Sequence, residues 1–416
     1  MELSTSDFVK AIRIASRGLP RSSTIPHFQH ILMREVFDGI ELSASDSDVR
    51  ISARIDGRMS VPDCTIPAII AIGQALNAGG DKIVEISPSR FDANGREAKD
   101  YIQITSGNMT FRSKTWDLGD LPITPLVADD KYFSATLGDE AMASLRRTSL
   151  AASVEETRYY LNGVYLKALT DEAWKYAVVA TDGHRLYKSN FPLPDAVGEI
   201  RSTALDNKPV AGAIIPRTVL GHLFALTKPG TAVSMCLAPR AVRNSDATTI
   251  IERDTVPVVS LAFNSGNIHV EIVGKLIDGM FPDYRRVIPK ETPWHYEFNR
   301  LSLRKAVAAL NHGPEKNNTV AITLGGGTAT LASKWHMLES ACEITLPVKH
   351  VDQKQSHMIG INARYLLNIM DSFNGSERVI MSFGAGPVRE DGFAGPVVVR
   401  SPDDEGFMAV QMPMRV

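Results

Sequence analysis

Residues 5–17 read TSDFVKAIRIASR, and residues 29–58 read QHILMREVFDGIELSASDSDVRISARIDGR. The first stretch sets Phe8, Val9, Ile12 and Ile14 at roughly helical spacing, with Thr5 or Ser6 as the N-cap. The second alternates apolar and polar residues around Asp38-Gly39, the pattern of a strand hairpin. The next window, 65–77 (TIPAIIAIGQALN), is apolar with Pro67 near its start and predicts a second helix. Short strands follow at DKIVEIS, DYIQITS and MTFRSKT. Helix, hairpin, helix and strands together make one α+β unit over residues 1–131.

The same order of elements returns twice. In residues 132–291 it runs as helix 138–150, hairpin 161–192, helix 216–228 opening on Pro216, and strands VPVVSLAFN and NIHVEIVGKL. In residues 292–416 it runs as helix 300–311, hairpin 319–348, helix 362–373, and strands RVIMSF, GPVVVRS and FMAVQMPM. Periodic recurrence of one supersecondary unit decides the fold ahead of any short motif. The expectation is three similar domains with these bounds, the central one carrying extra chain near 195–210 and 238–255.

Composition bounds the function. The chain has 416 residues, 44% hydrophobic and 22% charged, which suits two or three soluble domains. No apolar run approaches the roughly 20 residues of a membrane span, and the N-terminus lacks the basic and apolar regions of a secretory signal. Three widely spaced cysteines, Cys64, Cys236 and Cys342, form no metal or disulfide pattern and fit reduced thiols in a cytoplasmic protein. The six helical windows hold eleven Lys/Arg against four Asp/Glu, inside a chain whose net charge is −2. That segregation would draw phosphates towards the helices while the rest of the surface repels them.

No catalytic set emerges. Asp182 and His184 stand two apart in TDGHRL, an arrangement that invites a general-base reading, but Gly183 between them indicates a turn and no nucleophile motif accompanies them. Gly325-Gly326-Gly327 lacks the Lys-Ser/Thr of a phosphate-cradling loop and reads as a hairpin turn. His27 with His30, and His350 with His357, lack the partner ligands of a metal site. Three other segments mix apolar side chains with arginine: VVATDGHRLY (178–187), FPDYRRVIP (281–289) and MPMRV (412–416). They suit a groove for peptides, with Met412 and Met414 on one face of an extended tail.

At ETRYYLNGVYL (156–166), VATDGHRL (179–186), KLIDGMFPDYRRVIPK (275–290) and the terminal MPMRV, the chain resembles the bacterial sliding clamps, the beta subunits of DNA polymerase III. The resemblance implies a DNA-clamp fold, α+β, with three similar domains, each with two helices packed on antiparallel sheets, closing head-to-tail as a homodimer ring. It implies a processivity factor without catalysis, cofactor or metal. Duplex DNA would be encircled without base reading, and partners would include the replicative polymerase, the clamp loader, and repair or translesion polymerases. The partner-peptide groove would comprise Arg158, Tyr160, Leu161, Thr181, Gly183, His184, Arg185, Leu186, Pro282, Arg286, Val287, Val410, Met412, Pro413, Met414 and Arg415. DNA contacts would comprise Arg21, Lys10, Arg13, Arg146, Arg147, Tyr159, Arg217, Arg304 and Lys305. The first 131 residues share little with the family beyond element order and the RxxxIP fragment around Arg21. Two readings compete with a chromosomal clamp at this stage: a mobile-element clamp with altered partners, and an enzyme using Asp182 and His184. A monomeric DNA-binding module is a third.

Overall fold

The computed structural model describes residues 2–20, 22–59, 61–68, 83–116, 118, 126–127, 131–169, 175–203, 209–243, 250–312, 319–335, 339–350, 357–384, 388–389, 392–393 and 395–415. The first repeat holds β1 (Glu2–Ser4), α1 (Thr5–Ala15), β2 (His30–Val36), β3 (Gly39–Ser45), β4 (Val49–Ile55) and β5 (Cys64–Pro67). It ends with β6 (Ile83–Phe91), β7 (Glu97–Ser106) and β8 (Met109–Lys114). The second holds β9 (Phe133–Leu137), α2 (Asp139–Ser149), β10 (Gly163–Ala168), β11 (Tyr176–Thr181) and β12 (Arg185–Phe191). It continues through α3 (Arg217–Leu226), β13 (Val233–Arg243), β14 (Ile250–Ser265) and β15 (Ile268–Lys275). The third holds β16 (Trp294–Asn299), α4 (Arg300–Leu310), β17 (Thr319–Gly325), β18 (Thr328–Trp335), β19 (Ser340–Pro347) and β20 (His357–Asn362). It closes with α5 (Ala363–Ser372), β21 (Arg378–Phe383), β22 (Val397–Ser401) and β23 (Asp404–Gln411).

Helix α1 buries Phe8, Val9 and Ile12 as its periodicity predicts, but the cap is Ser4, whose side chain accepts from the Asp7 amide. Asn299 and Asn362 cap α4 and α5 in the same way, and Pro216 stands at the start of α3. Gly326 and Gly327, at φ 60° and 78°, make the β17–β18 hairpin turn that only residues tolerant of positive φ form readily. The helix expected at 65–77 is corrected at its start. Residues 64–67 are instead the edge strand β5, paired with β2, and Pro67 ends that strand. The remainder of that helix falls in 69–82, outside the described residues.

The chain gathers into two compact units, residues 1–142 with 193–279, and residues 143–192 with 280–416. In the first, one antiparallel sheet runs 197–198, β9, β13, β14, β15, β4, β3, β2, β5, and a second runs β1, β6, β7, β8. The first and second repeats fuse where β15 pairs with β4, from His269 opposite Arg54 to Gly274 opposite Val49. Arg50 is buried at this junction, bonded to Glu41 at 2.6 Å and to Glu271 at 3.4 Å, while Lys275 pairs with Asp48 at 2.7 Å. In the second unit one sheet includes β10, β11, β12, β23, β22, β21 and β16 in that order, and another runs β19, β18, β17, β20. Here the second and third repeats fuse where β12 pairs with β23. Helices α4 and α5 pack together in this unit. No described helix is long and apolar enough to cross a membrane.

Candidate functional site

The turn between β11 and β12 is built by one carboxylate. Asp182 accepts from the backbone N–H groups of His184 and Arg185, each at 2.9 Å, and from Arg185 Nε at 3.0 Å. Thr181 Oγ1 donates to the Arg185 carbonyl at 2.7 Å and accepts from the Gly183 amide at 3.1 Å. Asp182 therefore shapes the loop as an Asx turn rather than serving the His184 ring. Gly183 sits at φ +88°, and a Cβ there would lie 2.6 Å from a guanidinium nitrogen of Arg158. Arg158 is held at that spot by Glu155, with Nε to Oε2 at 2.8 Å.

Around this turn lies a cavity of about 250 Å³ within the second unit. Leu161, Leu186 and Val410 are buried and face it, with Val410 opposite Leu186 in the β12–β23 ladder. The 3-10 turn 156–161 supplies Arg158 and Tyr160, and the 181–185 turn supplies Thr181, Gly183, His184 and Arg185. Opposite them stand Pro282, Asp283, Tyr284 and Val287, ordered by a second 3-10 turn that the Asp283 side chain caps. Behind that wall the Tyr165 ring stacks on Phe281, centroids 4.9 Å apart and planes 3° from parallel. Burial pushes the Tyr165, Tyr284 and Tyr365 phenols above their ordinary range. Charge also reaches the cavity: Arg185 lines it and is largely buried, paired with Asp182.

The tail is tied down. Past β23 the Met412 amide donates to the His184 carbonyl at 2.9 Å, and the Met414 amide to the Gly360 carbonyl at 2.8 Å. Met412 faces the cavity and is 39% exposed. Met414 turns away, its sulfur accepting from Thr319 Oγ1 at 3.8 Å. The expected pairing of Met412 and Met414 on one face is therefore corrected: Met414 bridges to Gly360 of β20, and of the two only Met412 lines the cavity.

The basic side chains divide. Arg13, Arg146, Arg217 and Lys305 are exposed on their helices. Lys10 donates from Nζ to the Ser265 carbonyl at 2.7 Å, and Arg304 pairs with Asp371. Arg147 turns inward to Asp404 and Ser189. Arg300 is buried and donates to the carbonyls of Ser376 and Met370, at 2.8 and 3.1 Å. Tyr159 is 42% exposed and meets Tyr160 edge-to-face at 5.8 Å. Arg21 lies outside the described residues. Among the described residues no three His, Cys, Asp or Glu side chains converge as metal ligands, and burial pushes the Cys64 thiol up to about 12.

Two family models match the chain, the central domain of the DNA polymerase III beta subunit over residues 137–283 and its C-terminal domain over 285–415. The beta sliding clamp of Caulobacter vibrioides is 30% identical over 423 residues, covering 98% of this chain and 97% of that protein. The chain belongs to the DNA polymerase III beta subunit family, the bacterial sliding clamps. A solved clamp from Caulobacter crescentus superposes with a TM-score of 0.78 at 25% identity, covering 100% of this chain and 99% of that one. A Bartonella birtlesii clamp solved bound to griselimycin gives 0.77 at 24%, covering 100% and 99%. The clamp fold that the resemblance implied is the observed one, and the family is a non-catalytic processivity factor.

Of the clamp's anticipated groove residues, Arg158, Tyr160, Leu161, Thr181, Gly183, His184, Arg185, Leu186, Pro282, Val287, Val410 and Met412 come together around one cavity. Arg286, Pro413, Met414 and Arg415 do not line it; the Arg286 side chain is 85% exposed and pairs with Asp283 at 3.5 Å. Two contributors, Asp283 and Tyr365, escaped sequence reasoning, and Tyr284 reads there only as the rigid ring of its segment. Asp283 and Tyr284 line the cavity from inside the quoted FPDYRRV segment. Tyr365 lies under the Arg185 guanidinium at 4.5 Å and beside the His184 ring at 6.5 Å, brought there by α5 without any local signal.

Proposed function

We propose that this clamp closes as a head-to-tail homodimer around duplex DNA and holds the replicative polymerase through the cavity between the β11–β12 turn and the tail. The observation that carries the reading is the cavity itself: a buried apolar floor of Leu161, Leu186 and Val410, with Arg158, His184 and Met412 at its mouth. An apolar pocket with a few convergent polar groups takes the anchor side chains of a short peptide and bonds its backbone. Clamp loader, repair and translesion polymerases would dock at the same place, in the cytoplasm. The three-domain division, 1–131, 132–291 and 292–416, is supported by the adjoining spans of the two family models. Ring closure is supported by β8 and β19, each an end strand of its sheet and so a template for pairing with a second copy. The exposed Arg13, Arg146, Arg217 and Lys305 would face phosphates without reading bases.

The test is loading onto nicked circular DNA with the cognate loader. The clamp is expected to stay on the circle, to leave after linearisation, and to lengthen polymerase products. Retention on an unblocked linear end would refute topological binding. His184→Ala and removal of Met412–Val416 are expected to abolish the gain in product length while light scattering still reports a dimer. Normal processivity in both variants would remove the cavity from the account.

A further inference from the structure

We infer that Arg147 is a positioning residue of the cavity, clamping β12 to β23 so that the ladder between them holds the cavity floor in register. The inference rests on the proposed docking role of that cavity. The Arg147 guanidinium ion-pairs with Asp404, the first residue of β23. Its Nε donates to Ser189 Oγ on β12 at 3.1 Å, and its Cζ lies 4.4 Å from the Phe407 ring centroid. The next residue, Thr148, shares a 2.8 Å hydrogen bond with the same Ser189 hydroxyl. Ser189 and Phe407 are directly opposite each other, and the ladder then runs through Tyr187–Ala409 to Leu186–Val410. The clamp and the floor are thus three residues apart on each strand, about 10 Å at the usual strand rise.

Nothing local sets this register. The strands come from different repeats with no turn between them, and a slip of one residue would put Leu186 and Val410 on opposite faces of the sheet. A side chain fixed to both strands at once resists that slip. Arg147 suits the task because its planar fork bonds Asp404 and Ser189 while its face covers an aromatic ring. Phe407 is in turn wedged against Tyr187 at 5.6 Å and Phe373 at 4.8 Å, which anchors the contact to the core. A phosphate-binding role for Arg147 would require the guanidinium to abandon Asp404, leaving a carboxylate only 27% exposed without its cation. The adjacent Arg146 is the exposed member of the pair.

The experiment uses the full chain with Arg147→Met, Asp404→Asn, the double variant and Arg147→Lys. Three readouts are taken: binding of a fluorescein-labelled C-terminal peptide of the replicative polymerase, amide exchange at Leu186 and Met412, and the salt dependence of binding to a short duplex. Arg147→Met and Asp404→Asn are each expected to weaken the peptide about five- to tenfold. The double variant is expected to be no worse than either, with Arg147→Lys intermediate. Exchange at Leu186 and Met412 should quicken by a similar factor while β17–β20 is unchanged. The slope of log K against log salt should match the wild type, whereas loss of a phosphate contact would reduce it by about 0.9. Wild-type peptide affinity with wild-type exchange in Arg147→Met would overturn the inference, and so would the reduced salt slope. Failure of the unmodified clamp to bind the peptide would instead refute the docking role, and the exchange readout would still decide the clamp.

Discussion

Replacing Gly183 with alanine tests the turn that shapes the cavity mouth. Two separate effects are expected. The backbone at φ +88° disfavours any Cβ, at about 1–2 kcal/mol. The new methyl would also lie 2.6 Å from the Arg158 guanidinium, which is the mobile end of a long side chain and would swing away. That swing breaks the half-exposed Glu155 pair, worth about 0.2–1 kcal/mol. A combined loss of about 2 kcal/mol lowers the melting temperature of a unit this size by about 4–8 °C. Gly326→Ala is the control, because its φ is +60° and no atom lies within 4 Å of the added Cβ. It should melt lower too, yet bind partner peptide normally. Gly183→Asn separates the effects further: asparagine tolerates the backbone, so stability should partly return while affinity stays low. The assays are differential scanning fluorimetry and fluorescence polarisation. Gly183→Ala melting with the wild type would refute the strain argument, and normal peptide affinity in that variant would refute the placement of Arg158 at the mouth.

Two further substitutions probe buried charge. Burial raises the Glu41 carboxyl, but the charge and hydrogen bond of Arg50, with Arg34 and Arg54, outweigh it and hold it below the ordinary value. A depressed carboxyl contributes stability that is present above about pH 4.5 and lost as pH falls through the folded value. Glu41→Gln should therefore lower stability at neutral pH and flatten the acid limb of a denaturation series; an unchanged acid limb would contradict the pairing. Arg300→Met removes the cation that bonds the carbonyls of Ser376 and Met370 and should cost about 2–4 kcal/mol in urea unfolding. Because Arg300 is buried, the same variant should leave DNA affinity intact, and a fall in affinity would show that its charge reaches the duplex.

The repeat was legible because apolar periodicity is a local property. Phe8, Val9 and Ile12 announce α1 without reference to anything outside it, and the Gly325–Gly327 run announces its own turn. The cavity lining was legible in segments, since TDGHRL and FPDYRRV each carry their turn chemistry with them. What failed to show was commitment at a distance. The sign of Arg147, Arg300 and Arg304 is plain in the sequence, but their partners Asp404, Ser376 and Asp371 stand far along the chain. Counting them towards a phosphate-facing surface included cations that protein groups already engage. Met414 was misplaced for the same reason: its bridge to Gly360 is a tertiary pairing. At 65–67 the pairing with β2 as an edge strand overrode the start of the local helical pattern.

The pairing of Leu186 with Val410 also sets a timetable. More than half of the chain separates the two strands, so translation takes roughly ten to forty seconds to pass from one to the other. For that interval the edge of β12 that takes β23 has its backbone groups unpaired, and the cavity lacks Val410 and Met412. Only when β23 closes against β12 do Leu186 and Val410 meet, so the two halves of one floor are made far apart in time.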